Sequence, residues 1–126
     1  MTGPGRRERG AVTAELALAL PLLVSVTVGL VWLLAVGAAQ VRTVDAARET
    51  ARALARGDDP GSAVAIGTRV APPGSEVSVT RTDGEVRVTV SGEVDGPGGL
   101  FDHLPTPRVH AEAVALEEQS TPAWPP

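Results

Sequence analysis

Residues 16–41 read LALALPLLVSVTVGLVWLLAVGAAQV, and no charged side chain interrupts them. As a helix rising about 1.5 Å per residue, this stretch spans roughly 39 Å, against roughly 30 Å of bilayer hydrocarbon. It is long enough to cross a membrane with some tilt. The chain has 126 residues in all, too few to wrap a helix that is apolar on every side. The stretch is therefore expected to lie in a membrane, which leaves a small water-facing part with a thin core.

The flanks of the run are both basic. Residues 1–10, MTGPGRRERG, carry Arg6, Arg7 and Arg9, and with the initiator amine they favour an N-terminus held in the cytoplasm. Beyond the run come Arg42, Arg48, Arg52 and Arg56, offset by Asp45 and Glu49, so the charge contrast across the span is shallow. Residues 41–57, VRTVDAARETARALARG, are rich in helix formers. Arg42–Asp45 and Glu49–Arg52 form i,i+3 pairs of opposite sign, and Arg48, Arg52 and Arg56 an i,i+4 stripe. The helix is expected to run from about Val12 to Arg56 and to be capped by Gly57. Asp59, Pro60 and Ser62 then form a start signal for a short helix through about Val70, and Pro72-Pro73-Gly74 ends it.

The water-facing part contains one clear hairpin. Residues 76–82 (EVSVTRT) and 85–94 (EVRVTVSGEV) alternate apolar and polar side chains around Asp83-Gly84, a type I′ turn signal. Pairing Thr82 with Glu85 sets Val79 opposite Val88, Val77 opposite Val90, and Arg81 opposite Val86. Ser78, Thr80, Arg87 and Thr89 fall on the other face. A lone hairpin is marginal in water, so the long helix is expected to cover it. Arg108 to Leu116 reads as a third strand, although AEAVALEE also reads as helix. The expected class is α+β: a long N-terminal membrane-spanning helix followed by a small antiparallel β-sheet.

Composition excludes several functions. The sequence has no cysteine, so neither a disulfide framework nor a thiolate metal site can form. Its net charge is −4, with one Phe, two Trp and no Tyr, which lacks the basic face and stacking aromatics of a nucleic-acid binder. His103 and His110 are separated by a Pro-containing loop and have no metal-ligand spacing. Asp58-Asp59 reads as a helix start rather than an acid pair. Ser62, Ser75, Ser78 and Ser91 have no nucleophile-elbow setting, and Gly96-Pro97-Gly98-Gly99 has no phosphate-loop Lys behind it. No catalytic, cofactor-binding or metal-binding residue is expected, and no cofactor.

The junction of leader and run reads Arg9-Gly10-Ala11-Val12-Thr13-Ala14-Glu15-Leu16. It resembles the signal of type IV prepilins: a short basic leader, cleavage after Gly, Glu at the fifth mature position, and an apolar helix directly behind. Gly3 and Glu8 share the spacing but have no apolar run after them. More narrowly, RGAVTAELALALPLL resembles the TadE family of tight-adherence (Flp-type) pilus proteins, over roughly residues 9–56. That resemblance implies a minor pilin or pseudopilin cleaved between Gly10 and Ala11 by a prepilin peptidase. It would be a non-enzymatic, single-pass protein of the cytoplasmic membrane, with its C-terminal region outside, in or at the base of a pilus. Its partners would be other pilin or pseudopilin subunits and pilus assembly proteins. Glu15 would neutralise the new N-terminal amine of a neighbouring subunit, so that processing switches assembly on. A carboxylate drawn to the bilayer centre costs about 2.5–3.5 kcal/mol, so a Glu at this edge asks for a reason; a plain interfacial or helix-start role is the alternative.

Within the run, Pro21 lacks an N–H and clashes with the Ala17 carbonyl, so a kink is expected. Ser25, Gly29, Leu33 and Gly37 lie at four-residue steps, three of them small, a face that allows close helix packing. The implied organisation is a leader over 1–10, a transmembrane and extended helix over 11–57, a small extracytoplasmic α+β region over 58–117, and a disordered tail over 118–126. Two rivals remain. One is a secreted binding module cleaved after Gly37-Ala38-Ala39 by ordinary signal peptidase, although the run exceeds the usual h-region. The other is an uncleaved, membrane-anchored binding module.

Overall fold

One helix, α1 (Gly5–Ala55), makes up 51 residues of the computed structural model, which describes residues 5–99 and 101–118. At the usual rise it is roughly 77 Å long. It begins inside the basic N-terminal stretch and not near Val12 as expected. Arg6, Arg7 and Arg9 are good helix formers, Glu8 sits in the first turn where the helix dipole favours a carboxylate, and a single Gly10 costs only about 1 kcal/mol. Pro21 lies in the interior of the continuous helix. Burial divides α1 sharply. Its buried residues are Ala39, Thr43, Ala46, Ala47, Thr50, Ala51, Ala53 and Leu54, a helical stripe confined to the C-terminal part, and nothing from Gly5 to Ala38 is buried.

The end of α1 is closed by Gly57 at φ 87°. Gly57 N–H donates to the Leu54 carbonyl at 3.0 Å and Asp58 N–H to that of Ala53 at 3.1 Å, the paired bonds of a Schellman cap. The second helix, α2 (Pro60–Val70), starts as its sequence predicts. Asp59 accepts from the Ser62 N–H at 3.1 Å and Pro60 fills the first turn. α2 lies against α1 so closely that a methyl group on Gly67 would stand 2.1 Å from Thr50 Oγ1. Arg42 ties the two helices, donating from Nε to the Val70 carbonyl (3.1 Å) and from an Nη to that of Ala71 (3.2 Å). The expected Arg42–Asp45 and Glu49–Arg52 pairs do not close as ion pairs among the described residues. For Arg42 the reason is visible: its guanidinium satisfies the orphan carbonyls at the end of α2.

Three antiparallel strands follow, β1 (Glu76–Thr82), β2 (Glu85–Glu93) and β3 (Arg108–Leu116), in the order β1-β2-β3. The hairpin has the register that alternation predicts, with Val79 on Val88, Val77 on Val90 and Arg81 on Val86. Asp83 (φ 52°) and Gly84 (φ 78°) both take positive φ, as a type I′ turn requires. The ambiguous segment is strand: Val109, Ala111, Ala113 and Ala115 pair with Gly92, Val90, Val88 and Val86. Their small side chains allow α1 to approach the sheet. Val86, Val88, Val90, Val109 and Leu54 are all but inaccessible, and buried alanines of α1 and α2 complete the core. On the outer face, Arg87 lies between Glu85 (3.2 Å) and Glu112, and Arg108 meets Glu93 at 3.1 Å. Glu118 N–H donates to the Ala55 carbonyl at 3.3 Å, returning the chain to the end of α1. The rest of the tail expected to be disordered lies outside the described residues.

Candidate functional site

The exposed part of α1 is the surface that asks for a partner. Leu16, Leu18, Leu20, Leu22, Leu23, Val24, Val26, Leu30 and Val31 each keep half or more of their surface accessible. Isolated in water such a surface would aggregate. By length and composition α1 is one helix able to cross a membrane, and its most apolar window is wholly unburied. These residues are not the core helix of the small domain, whose fully buried α1 side chains all lie from Ala39 onward.

The junction residues sit at the N-terminal end of this surface. Gly10, Ala11 and Glu15 all lie within α1 and are exposed, and a side chain at Gly10 would meet nothing within 4 Å. Thr13 Oγ1 donates to the Arg9 carbonyl at 2.9 Å, and Ser25 Oγ to that of Pro21 at 2.8 Å. The four-residue face expected to pack against another helix is not uniform. Gly37 is open, whereas Gly29 faces the chain's own Phe101, whose ring would be 3.3 Å from a methyl group placed there. At Gly29, then, the missing side chain admits a loop of the same molecule.

That loop, residues 94–107 between β2 and β3, was not foreseen as a feature of the site. Trp32 stacks on Phe101 with ring centres 5.1 Å apart and planes 18° from parallel, and its indole N–H donates to the Asp95 carbonyl at 3.2 Å. Eight residues further along α1, the Gln40 amide brackets His110, donating to its carbonyl at 2.8 Å and accepting its N–H at 3.3 Å. Gln40 thereby satisfies the outward-facing backbone groups of one residue on β3 as a neighbouring strand would. The signals for these contacts were slight: the chain's one Phe, a Trp within the uncharged run, and the run's one amide side chain.

The polar candidates do not converge. His103 is exposed in the loop and His110 is exposed on β3. Asp58 pairs with Arg56 at 3.4 Å and Asp59 caps α2. Ser78 Oγ donates weakly to the Thr89 carbonyl, and Ser75 Oγ is buried beneath Gly92 without a hydrogen-bond partner among the described residues. Gly99 takes φ 81° and its N–H donates to Asp102 Oδ1 at 3.3 Å, so the Gly-rich stretch is a turn tied to its own loop.

A long helix, apolar and bare over one half and buried beneath a small α+β body over the other, defines a helix-anchored protein of pilin-like layout. The family model described as TadE-like protein matches residues 10–52, and over that segment the chain is similar to TadE-like proteins. The match starts at Gly10, takes in Glu15 and the apolar run, and ends at Arg52 in the buried half of α1; α2 and the sheet lie beyond it. Comparison with curated proteins and comparison with solved structures each gave no match.

Proposed function

We propose that the protein is a non-catalytic minor pilin or pseudopilin subunit of a tight-adherence pilus or a related secretion apparatus. The observation that carries this is the bare apolar half of α1, which begins directly behind the Gly10-Ala11…Glu15 junction and falls within the family match. In this reading a prepilin peptidase cuts between Gly10 and Ala11, with the N-terminus in the cytoplasm and the sheet outside. The new amine of Ala11 then pairs with Glu15 of a neighbouring subunit, and the bare helix leaves lipid for a bundle of such helices. Pro21, which deprives the Ala17 carbonyl of its helical donor, gives the helix a soft point for that packing. The folded body beyond Arg56 exceeds what a filament-forming helix needs, which favours a minor subunit that selects partners.

The test is the N-terminus of the protein accumulated in its host membrane, read by mass spectrometry. A chain beginning at Ala11 is expected. One beginning at Gln40 would make the protein a secreted module, and an intact leader would leave a plain anchor; either result defeats the proposal. For assembly, Glu15→Gln is expected to leave processing intact while reducing recovery with other pilus subunits severalfold.

A further inference from the structure

Residues 94–107 connect two antiparallel neighbours, a step that a hairpin makes with about two to five residues. The neck of this long connection is closed, with Val94 N–H donating to the Pro107 carbonyl at 3.1 Å. Beyond the neck the loop returns to α1 and rests on it between Gly29 and Trp32 through Phe101, Asp95 and Gly96. That level lies well inside the uncharged run. Leu104 is 53% exposed, and an open apolar recess of about 330 Å³ lies between Pro97 and the Val28–Val31–Trp32 side of the helix. Of the loop's charged groups, Asp95 and Asp102 are acidic, and no arginine occurs in it.

Irregular backbone exposed to lipid does not enter hydrocarbon, because its polar groups would lose their partners. The edge of the hydrocarbon must therefore fall at or below the level at which the loop touches α1. Phe101, Leu104 and Pro97 with the Trp32 indole form the apolar-bodied, polar-tipped group that suits the zone between headgroups and acyl chains. We infer that this loop is a membrane rest: it seats in the interfacial zone of the leaflet nearest the sheet and sets the depth of α1. The hydrocarbon-spanning part then ends near Val31. Roughly 30 Å counted back from there reaches about Val12, so Glu15 is drawn about one turn inside the hydrocarbon edge. The seat is apolar, and the acidic loop would gain nothing from anionic lipid, so the surface it fits is the phospholipid interface itself. This inference rests on the reading of α1 as a membrane span.

The test uses the full chain with Trp124→Phe, which leaves Trp32 as its sole tryptophan, in phosphatidylcholine vesicles at high lipid-to-protein ratio. Flotation with the vesicles reports the span separately from the loop; a chain that fails to float removes the span and this inference with it. In floating protein, a nitroxide on the lipid headgroup is expected to quench Trp32 about twofold more than one in mid-chain. A second variant, Leu104→Trp with Trp32→Phe and Trp124→Phe, is expected to show the same shallow preference from the loop side. Stronger mid-chain quenching, or quenching by aqueous iodide with none by lipid, would overturn the rest. So would lipid quenching that appears only as protein is diluted, since a second copy would then be covering the loop.

Discussion

Thr50 and Gly67 show how little slack the body of this protein has. Thr50 is inaccessible to solvent and its Oγ1 donates to the Ala46 carbonyl at 2.8 Å. That oxygen stands where a Gly67 side chain would begin. Gly67→Ala is expected to force the helices apart and to destabilise the body by about 1–3 kcal/mol, the usual range for overpacking. Thr50→Ala removes the obstructing hydroxyl, leaving the Thr50 Cβ position 3.4 Å from the new methyl, an ordinary contact. The double variant is therefore expected to recover most of the loss, with a coupling of about 1–2 kcal/mol in a double-mutant cycle measured by thermal unfolding in detergent. Additive effects would refute the contact. Arg42 makes a gentler case. Arg42→Met keeps the aliphatic stem and removes two bonds to the last carbonyls of α2. Arg42 is exposed as a residue and only one of its two bonds is partly buried, so the expected loss is about 1 kcal/mol, with hydrogen exchange quickening in α2 before the sheet.

The elements differ in how far their sequences declare them. The hairpin was legible down to its register because strict alternation and Asp83-Gly84 specify the same pairing. The cap of α2 was equally plain, since Asp59, Pro60 and Ser62 each have a single structural use there. β3 was not decidable alone: AEAVAL satisfies a helix by propensity and a strand by alternation, and pairing with β2 settled it. The loop of residues 94–107 has no period to read, and its anchor, Trp32, was hidden among other apolar residues of the run. The Gly10, Ala11 and Glu15 junction was readable as a spacing, but the cleavage and pairing proposed for it involve other chains, which one sequence does not declare. Within α1 the same residue type has opposite duties. Leu54 is 1% exposed and Leu18 is 78% exposed. In detergent, Leu54→Ala is expected to lower body stability by about 2–5 kcal/mol, a fall in melting temperature of about 10 °C or more. Leu18→Ala is expected to leave that transition unmoved, and a comparable drop would show that the body extends further down α1.

At the scale of the whole molecule, α1 is one rod serving two solvents, and the position of the folded body on it decides where one ends and the other begins. If residues 16–41 crossed the bilayer as a block, the centre of the span would lie near Val28 or Gly29, and Leu34 would be roughly 8 Å from it. The proposed membrane rest argues against that placement, because Ala39 is buried in the body and Trp32 carries its loop. With the span ending near Val31, Leu23 lies close to the middle of the hydrocarbon and Leu34 just outside it. Both leucines are largely exposed on the isolated chain, at 61% and 74%, so a substitution at either disturbs little internal packing. An arginine at the bilayer centre costs about 2.5–3.5 kcal/mol on insertion scales, and one near the interface can extend its charge to water. Leu23→Arg is thus expected to shift a large share of the protein into the carbonate-extractable fraction, while Leu34→Arg remains with the membrane as the parent does. Equal loss from both would return the span to residues 16–41 and oblige the loop to leave α1 when the protein enters the bilayer. Loss from Leu34→Arg alone would place the helix deeper still, with the rest of residues 94–107 displaced from its seat.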